Sequence, residues 1–492
     1  MHLQPGEGAS LMTLSRSFVD CLHLSNDCDH PVAVLVREPV NDVAATEKKD
    51  LRQLLTLGRS FWTVNLVFML DGAGYFGVLN VLEFFLGKDG LKLSDHHATI
   101  LISVLSGALT IFAALFGKLV DKKGVRYTIV ATIVCALAGR LILLAAPSWN
   151  WRGSNTIPYL RGVQEFFLNS NAVTASVLIA LVALLMMAFS AGLMQSAVYA
   201  GVRQTTTKAT EATGYALPYA LMNLGIVLVS LVSPFIRERW HAGGVIFACA
   251  LLALVYLGVQ LVGWREPQIA VRKVGDEKEP PATEKRAGRH PLFNPRFLFF
   301  IFVLLGVRTL FAHQFLTMPL YIERSYSKAI GARYEWLTGI NPVIVFIGTP
   351  IVAIVTRKIH VVNMMIVGTL ISAGATVFLM FGANFWALIA YFLVFSLGEC
   401  LWSSRFYEWV TKTAPKNQVG VYMGVAGVPW FLAKLTTGFY AGRMLMWLCP
   451  EDGPGRTGLL WLIYGAIGLT SPVGLLLARR WLIRGTLEEQ AT

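Results

Sequence analysis

Glu399 is the residue whose type and position point most directly to chemistry. It lies in the middle of the apolar run from Phe385 to Val410. A carboxylate at the centre of a membrane-spanning helix costs roughly 2.5–3.5 kcal/mol on insertion scales. Because of that cost, such a group normally faces a polar pathway or a partner charge. Glu399 therefore marks the region where we expect the functional site.

A second carboxylate, Asp71, lies one helical turn before Tyr75 in the first apolar run. Residues at this spacing share a helix face. An unpaired carboxylate in a low-dielectric environment favours its protonated form, so Glu399 or Asp71 is expected to exchange a proton near neutral pH. The alternative is that these carboxylates form structural ion pairs with basic residues in the apolar runs: Arg140, Arg308, Arg405 or Lys434.

Basic residues near the predicted site form a second group of candidates. Arg308 is suited to an anionic substrate group, and His313 titrates near neutrality; the alternatives are an ion pair from Arg308 to a carboxylate and an outer-interface position for His313. Lys434 is predicted either to face a cavity and neutralise Glu399 or to be structural. Arg405 and Glu408, at i and i+3, are expected to satisfy each other.

Two uncharged side chains are weaker candidates. Trp430 is suited to line a cavity, although membrane tryptophans more often serve packing. Asn223 lies beside Gly225, and a buried amide needs hydrogen-bond partners. Its expected role is to hold helices together, with contact to a cavity as the alternative.

The elements that position these residues are predicted from the apolar runs. The sequence is 55% hydrophobic and 14% charged, with a mean hydropathy of +0.57. A spanning helix needs about 20 apolar residues. We predict an all-α membrane protein of twelve spans with cytoplasmic termini, whose runs begin near Phe61, His97, Tyr127, Ala175, Thr213, Gly243, Phe297, Trp336, Val361, Phe385, Gly420 and Gly458.

One long polar connection divides these spans into six and six. The predicted organisation is a polar cytoplasmic leader, two six-helix halves joined by a charged cytoplasmic linker, and a short tail, with bounds of 1–58, 59–264, 265–296, 297–484 and 485–492. The formal charge of +13 reflects Lys and Arg in the predicted cytoplasmic loops, the positive-inside distribution, so no nucleic-acid partner is expected. Six cysteines without CxxC spacing indicate neither a metal site nor a disulfide framework, and no cofactor is expected.

The segment "GKLVDKKGVR" between the second and third spans combines glycines with charges. Gly117 permits close helix approach, Gly124 a tight turn, and Asp121 is placed to pair with Arg126 or a neighbouring helix. This segment resembles the signature loop of the major facilitator superfamily, and an ordinary basic turn is the alternative. The resemblance implies a gating role for these four residues and a substrate site between the two halves, near the bilayer midplane.

Four other stretches resemble proton-dependent oligopeptide transporters: "DGAGYFGVL", "PYALMNLG", "GINPVIVFIGTP" and "SLGECLWSSRFYEWVTKTAP". The last contains Glu399, which that family pairs with a fourth-helix lysine. The lysine position is occupied here by Gln195. The Glu-x-x-Glu-Arg positions of the family are occupied by Phe68, Asp71 and Gly72, and its next arginine by Leu79. These departures weigh against an ordinary peptide substrate.

These observations predict a secondary transporter rather than an enzyme. We expect alternating access with proton symport of a small polar solute, peptide-like or another organic compound. The protein is expected to be a monomer in the lipid bilayer of the cell (inner or plasma) membrane. The alternatives are a non-transporting sensor on the same fold, or a uniporter or exporter of another small molecule. The absence of a Walker A motif leaves ATP drive unsupported.

Overall fold

The structure is a computed structural model that describes residues 56–116, 118–149, 175–206, 210–265, 294–356, 359–413, 422 and 425–484. All of them belong to one compact unit within Gln53–Thr492. Most of the predicted leader, nearly all of the predicted linker and the predicted tail lie outside the described residues.

The described residues form helices, with no strand among them. The first half contains α1 to α6: Arg59–Phe84, Asp95–Phe116, Lys118–Lys123, Val125–Ala145, Ala175–Thr205 and Glu211–Gly263. The second half contains α7 to α17: Pro295–Val303, Leu305–Leu316, Met318–Ser325, Lys328–Gly331, Tyr334–Thr338, Ile340–Val355, Val361–Gly374, Val377–Met380, Phe385–Thr413, Val428–Leu448 and Thr457–Leu477. A wide turn, Phe85–Asp89, extends α1, and a short turn, Ala146–Trp149, extends α4.

Nine stretches of the described chain are long and apolar enough to cross a membrane. One of them, Leu217–Gly263, has 47 residues, or about 70 Å of helix, twice the roughly 30 Å of a bilayer core. Non-helical backbone at Trp240 and His241 bends α6 in that stretch, so it covers the two runs predicted to begin near Thr213 and Gly243. The runs predicted near Trp336 and Gly420 correspond to the 16-residue α12 and to α16, which carries two basic residues.

Local sequence explains several helix boundaries. Asn294 caps α7 by accepting a hydrogen bond from the Phe297 amide at 3.1 Å, and Pro295 follows at a position that needs no amide hydrogen. The Asp89 carboxylate accepts a hydrogen bond from the Ala242 amide at 3.1 Å, just after the bend in α6. This contact satisfies a backbone donor that the bend leaves free.

The two halves meet along α2 and α16 through small residues. A Cβ atom added at Gly442 of α16 would lie 2.5 Å from the Asp95 carbonyl oxygen of α2. The Thr99 hydroxyl donates to the Gly438 carbonyl across the same contact, at 3.2 Å. Small residues at such contacts allow close backbone approach in membranes.

Among the described residues, three ion pairs join the halves at one end of the bundle, here called the ion-paired end. Arg324 binds Asp95 with both terminal nitrogens, at 2.6 and 2.9 Å. Arg237 binds Glu335 in the same two-bond manner, at 2.6 and 3.0 Å. The third pair is Lys88–Glu323, and the Tyr334 hydroxyl donates to the Asn80 carbonyl beside it. Burial raises the pKa of Glu335, and the Arg237 guanidinium opposes that shift.

Candidate functional site

Glu399 lies on α15 and is held by an amide rather than by a cation. The Asn341 side-chain nitrogen on α12 donates to the Glu399 carboxylate at 2.7 Å and lies 3.0 Å from the Ser396 hydroxyl oxygen. Ser396, one turn earlier on α15, donates to the Phe392 carbonyl at 2.6 Å. Within the described part of the chain, no salt bridge links Glu399 to Lys or Arg. A neutral amide can stay bonded whether or not the carboxyl group carries a proton.

Two cations lie against one tryptophan ring of α16. The Arg308 guanidinium of α8 lies 5.1 Å from the Trp430 ring centre and 4.3 Å from that of Phe406. The Lys434 ammonium lies 5.9 Å from the same Trp430 ring. Contacts of this kind stabilise a cation by about 0.5–2 kcal/mol. Lys434 thus contacts an aromatic face in this structure, whereas the sequence left open neutralisation of Glu399 and a structural role.

Phe311 connects the cations to the helix that carries Glu399. Its ring centre lies 5.8 Å from Trp430, 5.5 Å from Trp402 and 4.7 Å from Phe395. Trp402 and Phe395 each lie one turn from Glu399 on α15, so they share its face. α8, α15 and α16 therefore bring one carboxylate, two cations and a set of aromatic rings together.

Asp71 lies in a closed network inside the first half. The Tyr256 hydroxyl of α6 donates to the Asp71 carboxylate at 3.1 Å and accepts from the Arg140 guanidinium at 3.0 Å. All three side chains are buried. A Cβ atom at Gly74 would lie 2.8 Å from an Arg140 nitrogen, so the glycine makes room for the guanidinium. This arrangement matches the structural alternative for Asp71, with a tyrosine between the charges.

The remaining first-half candidates differ in their surroundings. Tyr75 is half-buried and interacts with Ser106 of α2. Asn223 is buried, and its side chain donates to the Tyr219 carbonyl of its own helix at 2.9 Å. Gln195, where the family's lysine is missing, is exposed.

His313 is buried inside the second half. Its ring stacks on Tyr464, with centres 3.6 Å apart. Its two nitrogens bond to the hydroxyls of Thr317 and Tyr440, at 2.8 and 3.1 Å. Both nitrogens are therefore used by neighbours in the same half, which is the arrangement of a structural histidine.

The predicted gating segment is described only in part. Gly117 and the side chain of Asp121 lie outside the described residues. Gly124 has a φ of +82°, a left-handed conformation that favours glycine, and it precedes α4. Arg126 follows it and is exposed.

The sequence did not reveal Tyr256 as the partner of Asp71, and it did not single out Asn341 as the partner of Glu399. Nothing in the sequence pointed to Tyr256, because a tyrosine in an apolar run is usually a packing residue. Asn341 directly precedes Pro342 in the stretch "GINPVIVFIGTP", where a proline break leaves backbone groups in need of polar partners. The expected pairing of Arg405 with Glu408 is confirmed by an ion pair of 2.5 Å.

Apolar helices that enclose buried carboxylates, cations and amides define the class of multi-pass membrane transporters. The family model of the Major Facilitator Superfamily matches residues 67–438 of this chain. The chain therefore belongs to the Major Facilitator Superfamily. It is an integral membrane transporter that resembles the oligopeptide transporters of that superfamily, and it is not an enzyme. A search of curated proteins finds no match.

Solved structures share the fold at low sequence identity. A peptide transporter POT in complex with sulfate superposes with a TM-score of 0.65 at 15% identity, covering 87% of this chain and 96% of its own. A POT family transporter in complex with 5-aminolevulinic acid gives 0.62 at 14%, covering 86% and 97%. A D-xylose–proton symporter gives 0.62 at 17%, covering 84% and 97%. These likenesses establish the fold alone.

Proposed function

We propose that this chain is a proton-coupled symporter for a small polar organic solute, with Glu399 as the proton-coupling carboxylate. The observation that carries the proposal is the bond from the Asn341 amide to Glu399. A carboxylate locked by Arg or Lys stays ionised, whereas one held by an amide in a low-dielectric site can take up and release a proton. Glu399 is therefore the carboxylate suited to couple solute movement to a proton gradient.

The proposed solute carries a negatively charged group. Arg308 and Lys434 supply positive charge beside Trp430, and Trp430 and Phe311 supply apolar ring surface. A small acidic solute with an apolar part fits this chemistry better than an ordinary peptide, because the family's cations are replaced by Leu79 and Gln195. The relatives of this fold were solved with sulfate and with 5-aminolevulinic acid, both of which carry negative charge.

Transport proceeds in this proposal by alternating access between two halves of six spans each. α2 begins at the ion-paired end with Asp95, and α17 follows the turn at Cys449, whose carbonyl accepts from Arg324 at the same end. The far ends of these two helices therefore carry a group of basic residues: Lys122, Lys123, Arg126, Arg479, Arg480 and Arg484. The positive-inside distribution makes that end cytoplasmic, together with both termini. The ion-paired end is then extracellular, and the described conformation is closed to the outside. We propose a monomer in the cell membrane.

Uptake into proteoliposomes tests this proposal. The purified protein is offered 5-aminolevulinic acid, an acidic dipeptide, a neutral dipeptide or D-xylose, with and without an acidic exterior. We expect an acidic solute to accumulate only under the imposed gradient. Glu399→Gln should abolish accumulation while still exchanging internal for external solute, because exchange moves no net proton.

Glu408→Gln is the matched control, since it makes the same change on the same helix in a carboxylate already paired with Arg405. It should accumulate solute like the parent protein. Normal accumulation by Glu399→Gln would make Glu399 structural. Binding of a solute without movement under any gradient would instead identify a sensor on this fold.

A further inference from the structure

Glu83 is a buried carboxylate that neither the resemblance nor the proposed coupling site uses. It lies in the last turn of α1 and is 2% exposed. Neither of its carboxylate oxygens has a hydrogen-bond partner among the described residues. Buried polar atoms are nearly always hydrogen-bonded, so this group requires an explanation.

Glu83 lies within the ion-paired end, between residues that contact the other half. Asn80, one turn earlier, accepts the hydrogen bond from Tyr334, and the ring of Phe84, the next residue, lies 5.3 Å from the Tyr334 ring. α1 at this point is thus covered by helices of the second half. Closure of the ion-paired end is what removes Glu83 from water.

The charges that act on Glu83 are those of Asp95 and Arg324. Arg324 directs both terminal nitrogens to Asp95 and also donates to the Cys449 carbonyl at 3.0 Å. Two carboxylates therefore share one guanidinium, and only Asp95 is bonded to it. If Glu83 were ionised as well, the cluster would hold an uncompensated buried negative charge.

The other charged or titratable groups on elements packed against this end of α1 are engaged elsewhere or lie beyond Asp95. Lys88 binds Glu323, Arg237 binds Glu335, and Asp89 accepts from the Ala242 amide. His313 bonds to two hydroxyls, and His96 follows Asp95 on α2. A carboxylate that is denied both water and a donor is least costly in its neutral, protonated form.

We propose that Glu83 is a second proton-binding site, which holds a proton while the ion-paired end is closed and releases it to water when that end opens. On opening, α9 leaves α2, water reaches Glu83, and the O–H bond breaks in favour of a hydrated carboxylate. On closing, a proton from the same aqueous side returns. The assignment of this aqueous side as extracellular rests on the proposed function, whereas proton binding at Glu83 does not.

Infrared difference spectroscopy of the full chain in lipid nanodiscs tests this directly. The probe is the proton alone, delivered by pH steps without solute. We use a Glu399→Gln background, so that the carbonyl stretch of a protonated Glu399 is absent. We expect a carboxylic-acid carbonyl band at neutral pH that weakens as the pH rises, and we expect Glu83→Gln to remove it.

Glu323→Gln is the control, because Glu323 is an ion-paired carboxylate of the same end and should not contribute to the band. A carboxylic-acid band that persists unchanged in Glu83→Gln overturns the proposal. Should Glu83→Gln fail to fold, Glu83→Asp keeps a carboxylic acid in a new environment and must shift the band. A spectrum identical to that of the parent would again contradict proton binding at Glu83.

A distance measurement tests the link to opening. Spin labels at the exposed positions 92 and 451 lie in loops of different halves, and their separation reports closure of the ion-paired end. Raising the pH should increase the long-distance population in the parent protein, because ionised Glu83 disfavours closure. Glu83→Gln, which mimics the protonated group, should stay closed across the same range. Equal pH responses in both proteins overturn the link, whether or not any solute is transported.

Discussion

Asp71 and Glu399 are both carboxylates inside apolar helices, one in each half, yet their surroundings differ in kind. Asp71 is tied to Arg140 through the Tyr256 hydroxyl, so its negative charge has a buried positive counterpart. Glu399 is tied to Asn341, which carries no charge. In the first arrangement the nearby Arg140 guanidinium favours the anion of Asp71, whereas the amide in the second can stay bonded to the acid or to its anion.

This contrast shows why a charge in a span is not by itself evidence of a mechanism. A buried ion pair with a bridging hydroxyl fixes helix positions, because removal of either charged member leaves an unpaired charge. A carboxylate with an amide partner contributes little to holding the helices in position, but it can gain or lose a proton. This contrast supports the proposed coupling role of Glu399 and favours a framework role for the Asp71 network.

The largest expected effect comes from breaking the Asp71 network. Arg140→Met should lower the free energy of unfolding by about 3–5 kcal/mol, because it leaves an uncompensated buried carboxylate. Thermal unfolding in detergent measures this. Arg126→Met is the control on the same helix, at an exposed position, and should change stability little. Adding Asp71→Leu to Arg140→Met should recover part of the loss; no recovery would mean that Arg140 stabilises the fold by packing alone.

Tyr256→Phe tests the bridge between the charges with a smaller change. Loss of the hydroxyl removes one donor to Asp71 and one acceptor for Arg140, and each unmet buried group costs about 1–3 kcal/mol. We expect a lower unfolding temperature with gradient-driven uptake retained. Loss of uptake at unchanged stability would move the Asp71 network into the transport mechanism.

Asn341→Leu tests the uncharged partner of Glu399. The amide donates to the carboxylate and so favours its ionised form. Without it Glu399 holds its proton more tightly, and the decline of uptake with rising pH should move to higher pH. A hydrogen bond of about 1 kcal/mol corresponds to roughly 0.7 pH unit. Uptake profiles across a pH series measure the shift.

The matched control for that measurement is Asn223→Leu. Asn223 donates to the Tyr219 carbonyl of its own helix rather than to a carboxylate, so its loss should leave the pH profile in place. A profile that moves downward in Asn341→Leu, or equally in both variants, would contradict the amide-partner description of Glu399.

Much of the fold was predictable because apolar run length is a direct consequence of bilayer thickness. The runs near Thr213 and Gly243 were predicted as two spans, whereas the structure joins them in one helix that bends at Trp240 and His241. The run near Gly420 was harder to place, since Lys434 and Arg443 lower its hydropathy and its first residues lie outside the described chain. Superfamily membership followed from the glycine and charge pattern around Gly124.

The site was less predictable, because partners on different helices have no fixed spacing in sequence. Glu399 and Asp71 were recognised from the cost of charge in lipid, but the sequence alone did not decide which of them is paired. Arg140 was one of four cations considered, and Tyr256 gave no signal. Glu83 was missed entirely, since it lies near the end of its apolar run, where a carboxylate usually reaches water.

The ion pairs that join the two halves differ in their access to salt. In Lys88–Glu323 the side chains are 47% and 28% exposed, whereas in Arg237–Glu335 they are 14% and 0% exposed. Dissolved ions screen the field of an exposed charge over a distance of about 8 Å at physiological ionic strength, and they screen buried pairs much less. Added salt should therefore weaken the Lys88 pair first, and the Arg237 pair should continue to hold the two halves together. Opening would then proceed inward from the solvent, with an early step that depends on ionic strength and a later one that does not.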